Sequence, residues 1–224
     1  MKVSDAILSR CSVRSYLDKP VDITLLGELL AKAARAPSGG NIQPWNIHVV
    51  SGGKLTRLKS IMDQRIIASP RGEKVEYEIY PKGMSSQYRI RTQEIGEALY
   101  TQLGISRDDK LERSKWFAKN FHFFDAPVGL FCYIDRSLGL PQWSDLGMYL
   151  QTLMLLLREE GMDSCAQECW ALYPQTIDNF LEVPSSQMLF CGMSIGWRDP
   201  EALANRVVSP RVSVDDFVHF HLDN

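Results

Sequence analysis

The chain lacks most of the signals that announce a function. Its most apolar run, Leu146 to Leu157, is bounded by Asp145 and Arg158. That is shorter than the roughly 20 residues a spanning helix requires. Net charge is only −2 over 224 residues, which leaves no electrostatic footprint for DNA, RNA or an anionic membrane. Five cysteines form no disulfide framework, and the nearby pair Cys165 and Cys169 has no second pair to complete a zinc site. No G-x-G-x-x-G follows a strand-like segment, so a dinucleotide fold is not expected. No Ser–His–Asp order appears. Of four histidines, His219 and His221 would share a strand face without a carboxylate or thiol beside them, and no metal site is expected. The opening segment MKVSDAILSRCSVRSY has no signal-peptide apolar core, which predicts a cytoplasmic protein with reduced thiols. There are no repeats and no linker, so residues 1–224 are expected to form one domain.

What is present is an ordinary globular composition, 45% hydrophobic and 23% charged, with clear periodicity. Helices are predicted at Ser4–Arg10 and at Ile23–Ala36, the second capped by Asp22 and apolar at Ile23, Leu26, Leu29, Leu30 and Ala33. WNIHVVS reads as a strand, and Leu55, Leu58, Ile61 and Met62 mark a third helix. Residues 68–88 have no period and hold Pro70, Gly72, Pro81 and Gly83, the mark of an excursion from the core. The spacing predicts helices at Arg91–Leu103 and after a capping box at Ser106–Asp109, and a strand at Val128–Ile134. Asp145–Glu160 reads as a helix apolar nearly all round, buried centrally or at a subunit interface. SQMLFCGMSIGW reads as a strand, and VSVDDFVHFHLDN alternates like an extended tail. Helices outnumber strands without βαβ alternation, which gives an α+β sheet with helices packed on it.

Three stretches carry chemistry. In SRCSVRSY, Arg10 and Arg14 bracket Ser12, and two guanidiniums with a hydroxyl can surround a phosphate. In NRVVSPR, Arg206, Ser209 and Arg211 form a second such cluster. Taken alone, each reads better as a solvated basic loop; together they suggest one anion gripped from both chain ends. The third stretch, RAPSGGNIQPW, is far longer than a connection needs. Pro37 and Pro44 stiffen its ends, Gly39 and Gly40 allow close backbone approach, and Ser38, Asn41 and Gln43 carry polar groups suited to a heterocycle or polyol. A rigid structural turn is the alternative.

RCSVR followed by APSGGNIQPW resembles the opening signature of the FMN-dependent nitroreductase family. The resemblance continues through DLGMYLQTLMLLLREEGMDSCAQECWALYP and GMSIGWRDPEALANRVVSPR, and spans nearly the whole chain, with residues 68–140 the variable part. YPKGM and FHFFDAPVGLF are most similar to the nitrobenzoate-reductase-like branch. The resemblance implies a mostly antiparallel sheet flanked by helices and an intertwined homodimer with FMN at the subunit interface. It implies phosphate and ribityl contacts at Arg10, Cys11, Ser12, Arg14 and Arg211, with Cys11 standing where relatives carry a longer polar or basic side chain. The partner subunit's loop would contribute Pro37, Ser38, Gly39 and Asn41. Cys165, Ala166, Gln167 and Glu168 would run along the isoalloxazine edge near N5. No catalytic side chain is implied, because the cofactor carries the chemistry. NADH or NADPH would reduce the flavin, and a nitroarene or quinone would then take two electrons at the same site, in a ping-pong sequence. Tyr77, Tyr80, Tyr88, Arg89, Arg91 and the aromatic cluster 116–124 are candidates for acceptor choice. Alternatives are a quinone or activated-alkene reductase, or a flavin-binding protein without catalysis.

Overall fold

The computed structural model describes residues 1–222; Asp223 and Asn224, the end of the expected tail, lie outside the described residues. Seven α-helices and four strands follow in the order α1 (Val3–Ser9), α2 (Ile23–Ala33), β1 (Asn46–Ser51), α3 (Gly52–Ala68), α4 (Ser86–Gln102), α5 (Lys110–Ala118), β2 (Val128–Asp135), α6 (Leu140–Glu159), β3 (Asp163–Gln167), α7 (Pro174–Leu181) and β4 (Gln187–Gly196). The strands form one antiparallel sheet in the order β1-β2-β4-β3. The expected α+β class is what the chain adopts.

β2 explains the layering. Successive side chains of a strand point to opposite faces, and all of VGLFCYI is buried. Leu130, Cys132 and Ile134 meet the apolar stripes of α2 (Leu26, Leu29) and α6 (Leu146, Leu150, Leu153, Leu157). Phe131 and Tyr133 face the other way, into a core of Leu58, Met62, Phe121, Phe123, Trp170 and Ile177. Gly192 of β4 lies directly under the Trp170 ring, where a Cβ would collide with the indole.

Several element boundaries differ from the sequence expectation. Asp22 caps α2 as predicted, its carboxylate accepting from the N–H groups of Thr24 (2.8 Å) and Leu25 (3.4 Å). The helix stops at Ala33, however, three residues early, in a turn ahead of Pro37. In the SRDD stretch the cap is Asp109, which accepts from Glu112 N–H at 3.0 Å; Ser106 only opens the preceding turn. α6 begins at Leu140 rather than Asp145, because Pro141 stands in its first turn and Gly139 N–H donates to the Gln142 side chain at 3.1 Å. α4 begins five residues before its expected start; with no buried residue it shows no apolar stripe to mark it. β3 and α7 were not anticipated. DSCAQ has poor strand propensity and is made a strand by its pairing with β4. The tail forms a short 3₁₀ turn at Val214–Asp216 and no strand among the described residues.

α6 is buried in one chain on one side only. Met148 and Gln151 on its opposite side are exposed, as are Ile7 and Leu8 on α1 and Val208, Phe217 and Phe220 in the C-terminal segment. Among the described residues, no helix is long and apolar enough to cross a membrane.

Gly192→Ala is expected to cost about 1–3 kcal/mol of stability through overpacking against Trp170. A lowered denaturant midpoint without a changed m-value would show it.

Candidate functional site

The two arginine-bearing ends of the chain converge. A cavity of about 820 Å³ is lined by Arg10, Cys11, Ser12, Arg14, Arg198, Asn205, Ser209 and Arg211 among others. Its floor is the N-terminal segment laid beside β3. Ser12 forms a parallel bridge with Ser164, and Val13 N–H donates to Ser164 carbonyl at 3.1 Å. Asn205 stitches the other side: its Oδ1 accepts from Arg14 N–H at 2.7 Å, and its Nδ2 donates to the carbonyls of Ser15 (2.8 Å) and Asp199 (2.9 Å).

The guanidiniums divide into two sets. Arg198 is spent on structure. With Arg158 it holds the buried Asp163 carboxylate, at 2.9 and 3.0 Å, and it also donates to Cys11 Sγ at 3.0 Å. Arg10, Arg14 and Arg211 have no carboxylate partner among the described residues. Arg14 makes one long bond to Ser12 carbonyl (3.4 Å), and Arg211 folds Nη1 onto Ser209 and Pro210. Three uncompensated cations around one cavity can hold a multiply charged anion through charge-assisted bonds. Arg206, the other arginine of the C-terminal cluster, turns away to Glu201 and does not line the cavity.

The CAQE stretch adjoins this floor. The Cys165 thiol is pushed up, chiefly by burial, with opposing help from Arg14 and Ser12. Ala166 and Glu168 are exposed, while the Gln167 side chain is turned inward and donates to Asn120 at 2.8 Å. Gln167 can therefore offer a ligand only its backbone. Partial desolvation against the neighbouring wall raises the Glu168 carboxyl, although the residue keeps exposed surface. Burial pushes Cys169 up, as expected of a wall thiol rather than a reactive one. Beyond Ser164 the outer edge of β3 has no strand partner among the described residues.

The loop Pro37 to Asn41 is not in this cavity. It folds on itself: Asn41 N–H donates to Ser38 carbonyl, and Gln43 N–H to Ser38 Oγ at 3.0 Å. Gly40, Asn41 and Gln43 all have left-handed backbone, at φ +57°, +58° and +51°; only for glycine is that conformation free of steric cost. Gly39 N–H donates to the buried carboxylate of Asp145. Asp145 lies about 20 Å along α6 from Arg158, at a rise of about 1.5 Å per residue, and Arg158 borders the other end of the site through Asp163.

The acceptor candidates separate. Tyr77 is tied down, its hydroxyl donating to Phe190 carbonyl and its ring edge-on to Trp143 at 5.0 Å. Tyr80 is exposed near Glu168 and Cys169. Tyr88 is also exposed, with Arg91 over its ring at 5.6 Å. In the 116–124 cluster, Phe121, Phe123 and Phe124 are core residues, so only Trp116 and Phe117 keep exposed surface. Sequence reasoning missed Asp145, Asp163, Arg198 and Asn205. Each is a lone polar residue whose role comes from partners distant in sequence, so no local spacing marks it.

An antiparallel α+β sheet with an arginine-lined cavity at its β3 edge defines an anion-binding α+β protein. The chain belongs to the nitroreductase family: the profile described as "Nitroreductase family" matches residues 7–197. It is 36% identical over 219 residues to a 4-nitrobenzoate reductase of Pseudomonas putida, covering 96% of this chain and 94% of the relative. Among solved structures, it superposes at TM-score 0.96 and 44% identity on the FMN and NADPH-dependent nitroreductase NfnB from Sphigopyxis sp. strain HMH, covering both chains completely. It also superposes at TM-score 0.92 and 28% identity on the FMN-dependent NfnB of Mycobacterium smegmatis in complex with NADPH, covering 98% of each chain.

Asp163→Ala leaves Arg158 and Arg198 facing an emptied buried position. A loss of about 3 kcal/mol is expected, measurable by chemical denaturation.

Proposed function

We propose that the protein is an FMN-dependent oxidoreductase that uses NADH or NADPH to reduce nitroaromatic compounds. The observation that carries this reading is the convergence of Arg10, Arg14 and Arg211, without carboxylate partners among the described residues, on one cavity beside β3. Relatives named for nitrobenzoate reduction and for FMN and NADPH dependence support it.

The residues fit a flavin mononucleotide. Arg10, Ser12, Arg14 and Arg211 would bind its phosphate, where each partly buried charged hydrogen bond contributes about 1.5–3 kcal/mol. Cys11 would contribute backbone only, since its thiol accepts from Arg198. Cys165, Ala166, Gln167 and Glu168 would border the ring, at the strand edge where backbone donors are uncommitted. When bound, the flavin supplies hydride acceptance from the nicotinamide and two-electron delivery to a nitro group, giving nitroso and then hydroxylamine products. The protein holds, orients and screens from water.

The site is read as shared between two copies. The loop Pro37, Ser38, Gly39 and Asn41 is rigid and exposed, yet lies away from its own chain's cavity. An intertwined homodimer brings a neighbour's loop to each flavin and covers Leu8, Met148 and Phe217, which one chain leaves exposed. Localisation in the cytoplasm accords with this chemistry.

Purified protein is expected to be yellow, to bleach anaerobically with NADH or NADPH and to regain colour with a nitrobenzoate. Initial-rate lines should be parallel; intersecting lines would count against a shared site for donor and acceptor. Arg10→Ala combined with Arg211→Ala should lose flavin by at least about 100-fold in affinity, with unchanged far-UV circular dichroism. Unchanged flavin content would remove the phosphate assignment. Sedimentation of the wild type should give twice the chain mass.

A further inference from the structure

Asp145 is a buried acid that the fold itself does not require. Its side chain sits on α6, 4% exposed, beyond the first turn where the helix dipole acts. It has no cationic partner among the described residues. Its two oxygens share a single donor, Gly39 N–H, at 3.4 and 3.3 Å. A buried carboxylate with so little compensation costs stability, and an apolar side chain of the same size would do as well or better for packing alone.

One helical turn further along the same face stands Tyr149. Its ring stacks on Trp45 at 4.9 Å and an interplanar angle of 20°, while its hydroxyl donates to Leu30 carbonyl at 3.4 Å. Gly39 and Trp45 are the two ends of the strained loop. Between them lie the three left-handed residues, two of which, Asn41 and Gln43, bond back to Ser38 just before the span. α6 thus grips the loop at two points, Asp145 at its entry and Tyr149 at its exit, with Asp145 the polar tie that fixes backbone direction at Gly39. Strained conformations of this kind persist only where surrounding contacts over-determine them.

We propose that Asp145 is a positioning residue: its carboxylate holds Gly39 N–H so that loop 38–43 keeps the conformation in which it reaches the cofactor of the neighbouring subunit. The proposal rests on the reading that this loop closes over the partner's flavin. It separates cofactor affinity from fold stability at one residue, because the charge that orients the loop is a burden on the fold.

The test uses the full-length protein with Asp145→Asn, which keeps an accepting oxygen without the charge, and Asp145→Leu, which removes both. Three measurements are made: amide hydrogen exchange of residues 38–43 in the flavin-stripped protein, thermal unfolding of that form, and FMN affinity by fluorescence titration. Asp145→Leu is expected to exchange faster at the loop, to unfold at or above the wild-type temperature, and to bind FMN about tenfold more weakly. Asp145→Asn is expected to fall between it and the wild type. Wild-type loop exchange in Asp145→Leu overturns the anchor. Faster exchange with unchanged FMN affinity keeps the anchor but overturns its role in the cofactor site; the shared-loop reading fails separately, if the wild type sediments at one chain mass. A lowered unfolding temperature with weaker binding in both variants overturns the proposal in favour of a packing role.

Discussion

The arrangement around Asp163 is the constraint on which the rest depends. One buried carboxylate receives Arg158 from the end of α6 and Arg198 from the exit of β4, while the next residue, Ser164, bridges to Ser12. Three parts of the chain, the N-terminal segment, the α6–β3 junction and the exit of β4, are welded where β3 begins. That weld fixes the start of β3, on which the N-terminal segment is laid through Ser12 and Val13, and Asn205 then ties Arg14 to the C-terminal side of the cavity. Arg158 and Arg198 are consumed by Asp163, while Arg10, Arg14 and Arg211 have no carboxylate partner among the described residues. The network sorts cations into those that build and those that are free to bind.

α6 connects this weld to everything else. One of its faces fills the core against α2 and the sheet, its C-terminal end supplies Arg158, and its N-terminal half holds the loop through Asp145 and Tyr149. Its remaining side shows Met148 and Gln151 to solvent in a single chain. A helix with three separate duties has little room for polar residues, which is why its sequence reads as apolar nearly all round. The excursion after α3 is fastened mainly through its first half: Glu73 pairs with Arg65 at 2.8 Å and accepts from Thr176 N–H at 3.0 Å, and Glu76 pairs with Arg136 at 2.7 Å. Residues after Tyr77 have fewer ties to the core, so that stretch can change without disturbing the sheet.

Much of this was legible beforehand where one local rule applied. Asp22 before an apolar stripe, the β-branched run of β1 and the apolar run of β2 each carry their structure in their own spacing. The convergence of the N-terminal and C-terminal arginines was also legible, since two like clusters at opposite ends of a chain suggest one ligand. The extent of α4 was not, because an exposed helix has no buried period. β3 was not, because DSCAQ becomes a strand only through β4 and Ser12. The cluster Phe121, Phe123 and Phe124 looked like a recognition surface, yet Phe123, Phe124 and Asp125 run through left-handed backbone that turns the first two rings into the core. Composition reveals how many rings there are; only the backbone path decides which way they face. Asp145 and Asp163 were invisible for a related reason, as each has its meaning in a partner many residues away.

The bare outer edge of β3 has a consequence for how such a protein lives in a cell. An unclaimed strand margin is a template for any extended polypeptide that drifts past, and newly made chains are most abundant when growth is fastest. On this chain that margin is short, because Ser12 already sits on its start, so it offers a passing strand few residues to pair with.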